Sequence, residues 1–60
     1  MKKVIIIDTI TLQVYVAPYD ENTFSDFADY LIDFNKKYRL NVSYDNCQWQ
    51  VINELNLTVL

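Results

Sequence analysis

The chain contains no glycine and no histidine, and only one cysteine and one proline. Without glycine there is no Gly-rich loop to cradle a phosphate. Without histidine, His-based metal sites and Ser-His or Cys-His catalytic pairs are absent from the inventory. Cys47 stands alone, so no intramolecular disulfide exists. As a nucleophile it would need an activating base or a cationic setting, and nothing in its sequence neighbourhood supplies a base, so a buried inert thiol is the better reading. Basic charge is scarce too: five Lys and Arg stand against eight Asp and Glu, a net charge of −3. That is the opposite of the balance expected of a phosphate binder, and nucleic acid is a disfavoured partner. No apolar run approaches the ~18–20 residues of a membrane span, and Val4 to Ile7 behind Met1-Lys2-Lys3 is too short for a signal-peptide core. The expected location is the cytoplasm, with Cys47 reduced.

Sixty residues, 52% of them hydrophobic, make one domain over 1–60. A chain of this mass buries only about 60% of its unfolded surface. The apolar part of that burial is worth roughly 90 kcal/mol, and ordering the chain costs about the same. Small domains usually add disulfides, a metal or a partner subunit. The first two are missing from the inventory, which leaves a partner subunit as the stabiliser.

Val4 to Ile7 is a continuous β-branched run, and Ile10, Leu12, Val14 and Val16 then alternate with polar residues and Tyr15; both patterns read as strand. One straight strand over Lys3 to Val16 would span ~46 Å, too long for so small a domain, so a hairpin around Asp8-Thr9 is expected. Pro18 closes the second strand. Asn22 or Thr23 offers an N-cap, with Asp26 three residues after Thr23 as a capping-box variant, and a helix from about Thr23 to Tyr38 follows. Phe24, Phe27, Ala28, Leu31, Phe34 and Tyr38 form its apolar stripe. Asp20, Glu21 and Asp26 lie at the positive end of its dipole, and Lys36, Lys37 and Arg39 at the negative end. Beyond it, alternation over Leu40–Tyr44, Cys47–Val51 and Leu55–Val59 reads as three more strands, the first two joined by a turn at Asp45-Asn46. The expected fold is α+β in the order ββαβββ, a small antiparallel sheet with one amphipathic helix on one face.

Five strands at ~4.8 Å spacing make a sheet roughly 20 Å across, whereas a helix is about 10–12 Å wide. The helix would leave apolar strand surface uncovered, and Ile5 or Ile7, Tyr15, Ile52 and Leu60 fall on the far face by parity. A homodimer through the sheet, by face or by edge, is therefore expected. Trp49 shares its strand face with Cys47 and Val51 and serves either as core area or as an interface anchor. The expected dimer residues are Trp49, Tyr15, Ile52 and Ile7.

Asp26, Asp29 and Asp33 project within about 60° of one another, opposite the apolar stripe. Joined by Asp20, Glu21 and Tyr30 they form a candidate strip for a protein partner with a basic surface; the ordinary alternative is a solvated outer face. Carboxylates on one helix leave most of a divalent cation's shell to water, so no metal and no cofactor is expected. The amide of Asn35 falls inside the apolar arc and needs a hydrogen-bond partner. Catalysis is not expected: Asp8, Asp20 and Glu54 are scattered, and a domain of this size has little room for a pocket of ~300 Å3.

The resulting expectation is a small acidic, non-enzymatic protein-binding module that acts as a homodimer. Residues with A/T-rich codons (Phe, Tyr, Met, Ile, Asn, Lys) number 25, against 4 for Gly, Ala, Arg and Pro. That points to an A/T-rich genome and to a phage or mobile-element inhibitor or modulator of a host or defence protein, working in the host cytoplasm. One alternative is a dimer that binds single-stranded nucleic acid, stacking bases on the five tyrosines with Lys2, Lys3, Lys36, Lys37 and Arg39 neutralising phosphate. Another is a structural assembly subunit.

Overall fold

The computed structural model describes residues 2–60. It contains strand β1 (Lys2–Asp8), strand β2 (Val14–Tyr19), helix α1 (Phe27–Tyr38), a 3-10 turn (Tyr44–Asn46) and strand β3 (Cys47–Ile52). The strands form one antiparallel sheet in the order β2-β1-β3. The fold is α+β, but its order is ββαβ and not ββαβββ. The central place goes to the continuous β-branched run, whose Val4 and Ile6 are fully buried under the helix.

The expected hairpin forms, with residues 9–13 as its connection. Asp8 holds it: the backbone N–H groups of Ile10 and Thr11 donate to the Asp8 carboxylate at 2.9 and 3.2 Å, and Leu12 N–H donates to the Asp8 carbonyl at 2.8 Å. With no glycine available, Leu12 takes the left-handed conformation at φ 63°, which is strained for a residue with a Cβ. Thr9 ties this loop to the 3-10 turn, its N–H and hydroxyl both donating to the Asn46 carbonyl at 3.0 and 2.6 Å.

The helix begins later than its sequence signals indicate. Asp20 captures the expected cap Thr23 in a local turn, accepting from its hydroxyl at 2.9 Å and from the Asn22 N–H at 3.0 Å. Asp26 then serves as the N-cap itself, accepting from the Asp29 N–H at 3.0 Å. At the other end Arg39 adopts φ 56°, and the N–H groups of Arg39 and Leu40 both donate to the Asn35 carbonyl. This is a helix-ending left-handed residue, here made without glycine.

Two expected strands are absent. Over Leu40–Tyr44 the backbone is claimed by the helix: the Asn35 side chain donates to the Val42 carbonyl at 2.9 Å and accepts from the Val42 N–H at 3.0 Å. Those are the groups a strand would have offered to a neighbour. Asp45-Asn46 lies in the 3-10 turn that feeds β3, which pairs with β1 and not with the Leu40 segment. Residues 55–60 form no strand and stay exposed. The sheet is therefore three strands, about 10 Å between its outer strand axes, and one helix does cover one face of it. The core of Val4, Ile6, Ala17, Tyr19, Phe27, Tyr30, Leu31, Phe34 and Val42 lies between them. Among the described residues no helix is long and apolar enough to cross a membrane.

The second face of the sheet is open. In β2 the inward residues are Tyr15, Ala17 and Tyr19, while Val14 and Val16 point away from the helix at 47% and 44% exposure. This reverses the reading that put Tyr15 on the far face, because period-2 alternation fits either face when both are apolar.

Candidate functional site

Aromatic packing sets how the helix meets β2. The Tyr30 ring contacts Tyr19 and Phe24 with centroids 4.7 and 5.3 Å apart, and Phe34 meets Tyr15 edge-on at 5.7 Å. The Tyr30 hydroxyl donates to the Pro18 carbonyl at 2.9 Å, pinning the helix to the end of β2. Burial pushes the Tyr30 hydroxyl up to about 12, with nearby Tyr38 and Asp33 adding to the shift.

A groove of about 260 Å3 runs along this seam. Phe24, Tyr30, Phe34 and Tyr38 line it, and Asp20 and Asp33 border it from β2's exit loop and from the helix. Lys37 also borders the groove, and its Nζ lies 5.6 Å from the centroid of the Tyr38 ring. The Tyr38 ring thus already receives a cation on its face. A second, shallower hollow of about 610 Å3 lies between Lys2, Tyr19, Asp20, Glu21 and Asn53. It exceeds the size expected for so small a domain because it is an open depression and not a cavity.

The structure sorts the six residues of the acidic strip. Asp20 and Asp33 both border the groove, whose wall includes Tyr30 at 5% exposure. Tyr30 is therefore a buried wall of the site and no surface contact residue. Asp26 is engaged as the helix cap, Asp29 accepts from the Ser25 hydroxyl at 2.6 Å, and Glu21 pairs with Lys2 at 3.1 Å. Backbone donation from Asn22 and the Thr23 hydroxyl hold the Asp20 carboxyl below its ordinary value. Asp20 is thus an anion that also shapes its own loop. Asp33 makes no side-chain hydrogen bond or ion pair among the described residues and is exposed.

The four expected dimer residues split between two faces. Ile7 and Ile52 lie on the open face, where Ile7 sits beside Val14 across β1–β2 and Ile52 opposite Lys3 across β1–β3. Tyr15 and Trp49 lie on the helix face instead. Trp49 stacks on Phe27 at 4.2 Å with the ring planes 8° apart, and keeps 44% of its surface exposed. It is the lid of the core at the β3 side.

Cys47 donates weakly to the Tyr44 carbonyl at 3.7 Å, and burial, assisted by Asp8 across the β1–β3 ladder, pushes its thiol up. The thiol is protonated and poorly nucleophilic. Of the tyrosines proposed as a stacking platform, Tyr19 and Tyr30 are core residues and Tyr15 packs on Phe34; Tyr38 and Tyr44 are exposed. Among the described residues no group of three or more Cys, Asp or Glu side chains is placed to hold a metal ion.

Sequence reasoning did not find Phe24, Phe34, Tyr38 and Lys37 as groove residues, nor Val14 and Val16 as open-face residues. The odd-numbered series Tyr15, Ala17, Tyr19 was the available signal for the second. The first depends on where β2's exit meets the helix, which is a long-range contact. No protein-family model, curated protein or solved structure matches this chain.

Proposed function

We propose that this chain is a small non-enzymatic protein-binding module that acts as a homodimer and receives a lysine or arginine side chain of a protein partner in the groove between β2 and α1. The observation that carries the reading is the placement of two carboxylates, Asp20 and Asp33, on the border of one aromatic-lined groove. Such a site offers a cation charge together with the accessible aromatic surface of Phe24 and Tyr38. The net charge of −3 favours encounter with a basic surface and makes association sensitive to salt. A phage or mobile-element inhibitor or modulator of a host or defence protein, acting in the host cytoplasm, is the role that fits the acidic composition and the A/T-rich codon bias.

The dimer part of the reading rests on the open sheet face. Ile5, Ile7, Val14, Val16 and Ile52 form an apolar patch there, and Lys3 is its one charged side chain by register. By register no strand residue on this face is acidic, so two copies can meet on it without bringing strand carboxylates together.

Asp33 is the clean test of the groove because it caps nothing. Titrating the protein with an arginine-rich peptide should shift the resonances of Tyr30, Phe34 and Tyr38, and Asp33→Lys should weaken the peptide about tenfold or more while leaving the melting curve in place. The same substitution should release whichever basic protein is captured from nuclease-treated host lysate at low salt. Equal affinity of Asp33→Lys and the unaltered protein would remove the groove from the mechanism.

A further inference from the structure

Two incomplete pieces of β structure lie in the same chain. One is the outer edge of β3: the Cys47–Ile52 strand pairs with β1 on one side only, in an unbroken register from Lys3↔Ile52 to Asp8↔Cys47. Natural edge strands are blunted by charge, proline, bulges or shortness. β3 has six residues, no charged side chain, no proline and no bulge. The other edge, β2, carries Pro18, which cannot donate to an incoming strand.

The second piece is the segment Leu55–Leu60. Leu55, Leu57 and Val59 alternate with Asn56 and Thr58, a strand pattern, yet none of its backbone groups is hydrogen-bonded to the rest of the described chain. Leu57 and Val59 are 79% and 86% exposed. It does not fold back on β3 within one copy. Only Asn53 and Glu54 separate the two segments, and a two-residue hairpin of the primed types needs positive φ where Glu54 or Asn53 would sit. Folding back would also set three apolar side chains on a face that has no second layer.

The occupant that satisfies both pieces is a second copy. The open sheet face spans about 10 Å by 20 Å, which is small against the ~800 Å2 per partner of a stable dimer. The tail supplies about 20 Å more of extended apolar chain from each copy. Like the open face it contains no acidic side chain, in a chain with eight acids. We infer that residues 55–60 of one copy add as a fourth strand to the free edge of β3 in the other, with Leu55, Leu57 and Val59 extending the apolar face on which the two copies meet. This rests on the dimer reading above and specifies how that dimer is built.

The experiment mixes 15N-labelled with 13C-labelled protein and records isotope-filtered NOEs, with sedimentation equilibrium on the same sample. The expected result is a species of twice the chain mass, with intermolecular NOEs between residues 55–60 and Cys47–Ile52 and slowed amide exchange in the tail. Leu57→Pro and Thr58→Pro, made separately, cover both alternate sets of tail N–H groups, and the one that removes a ladder donor should raise the dimer dissociation constant about tenfold or more. A dimer whose tail amides exchange freely, or whose tail NOEs are intramolecular, overturns the strand addition and leaves the dimer standing. A species of one chain mass overturns both, and the groove reading is tested independently through Asp33.

Discussion

Asn35 is the polar residue on which the second half of the fold turns. Its side chain makes two hydrogen bonds to the backbone of Val42, at 2.9 and 3.0 Å, and Val42 is only 4% exposed. Asn35→Ala removes both partners and strands an N–H and a carbonyl where water has little access. Each net hydrogen bond is worth about 1 kcal/mol, and a buried group left unsatisfied costs about 1–3 kcal/mol. These losses overlap, so the expected destabilisation is about 2–4 kcal/mol. A domain of this size holds roughly 3–9 kcal/mol in total, so the loss is a large share of it. Thermal melts followed by circular dichroism and by Trp49 fluorescence, at one protein concentration, should show Tm falling by at least about 8 °C. Asn35→Asp is the control with a sign. Ionised, it keeps the acceptor for Val42 N–H but opposes the Val42 carbonyl. Protonated, it regains a donor. Its carboxyl is thus raised in the folded state, and its deficit relative to the unaltered protein should shrink as pH falls through that raised value. Asn35→Ala melting within 2 °C of the unaltered chain would refute the claim that this clamp keeps residues 40–44 out of the sheet.

Leu12→Gly should stabilise the protein by about 0.5–1 kcal/mol, since Leu12 sits at φ 63° and glycine removes the Cβ strain at some cost in unfolded-chain entropy; urea midpoints check it. Acid should unfold the protein through Asp8 and Asp20, both held below 3.8, chiefly by the backbone N–H of Ile10 and of Asn22 respectively. Their contribution is fully present above pH about 4 and is lost as pH falls through the folded values; a pH series of melts on Asp8→Asn should show a flatter acid limb.

The helix was legible because its signal is local. Phe27, Leu31 and Phe34 repeat at helical spacing, and all three are core residues. Asn35 stood out in the apolar arc as an amide in need of a partner, and it has one, although Val42 could not be named beforehand. The strands were harder to read. Alternation over Leu40–Tyr44 and Leu55–Val59 matches that of β3, yet only β3 finds β1, because pairing is decided by contacts distant in sequence. In β2 the rings of Tyr15 and Tyr19 compete with Val14 and Val16 for the inner face. The rings win since α1 presents Phe34 and Tyr30 to them. Asp20 and Asp33 belonged to the acidic strip from the start, but their meeting over one groove depends on the Tyr30–Pro18 hydrogen bond, which no local pattern announces.

The segregation of surface into a carboxylate-free sheet face and an acidic, groove-bearing helix face is the centre of the account, and self-association is its most direct consequence. Sedimentation equilibrium of the unaltered protein across the micromolar range, beside a Val16→Lys variant, measures it. The expected result is twice the 7.2 kDa chain mass for the first and a shift toward the single chain for the second, because the added lysine lies on the open sheet face. A 7.2 kDa species for the unaltered chain at every concentration, or a Val16→Lys variant that self-associates as strongly as the unaltered chain, would contradict it.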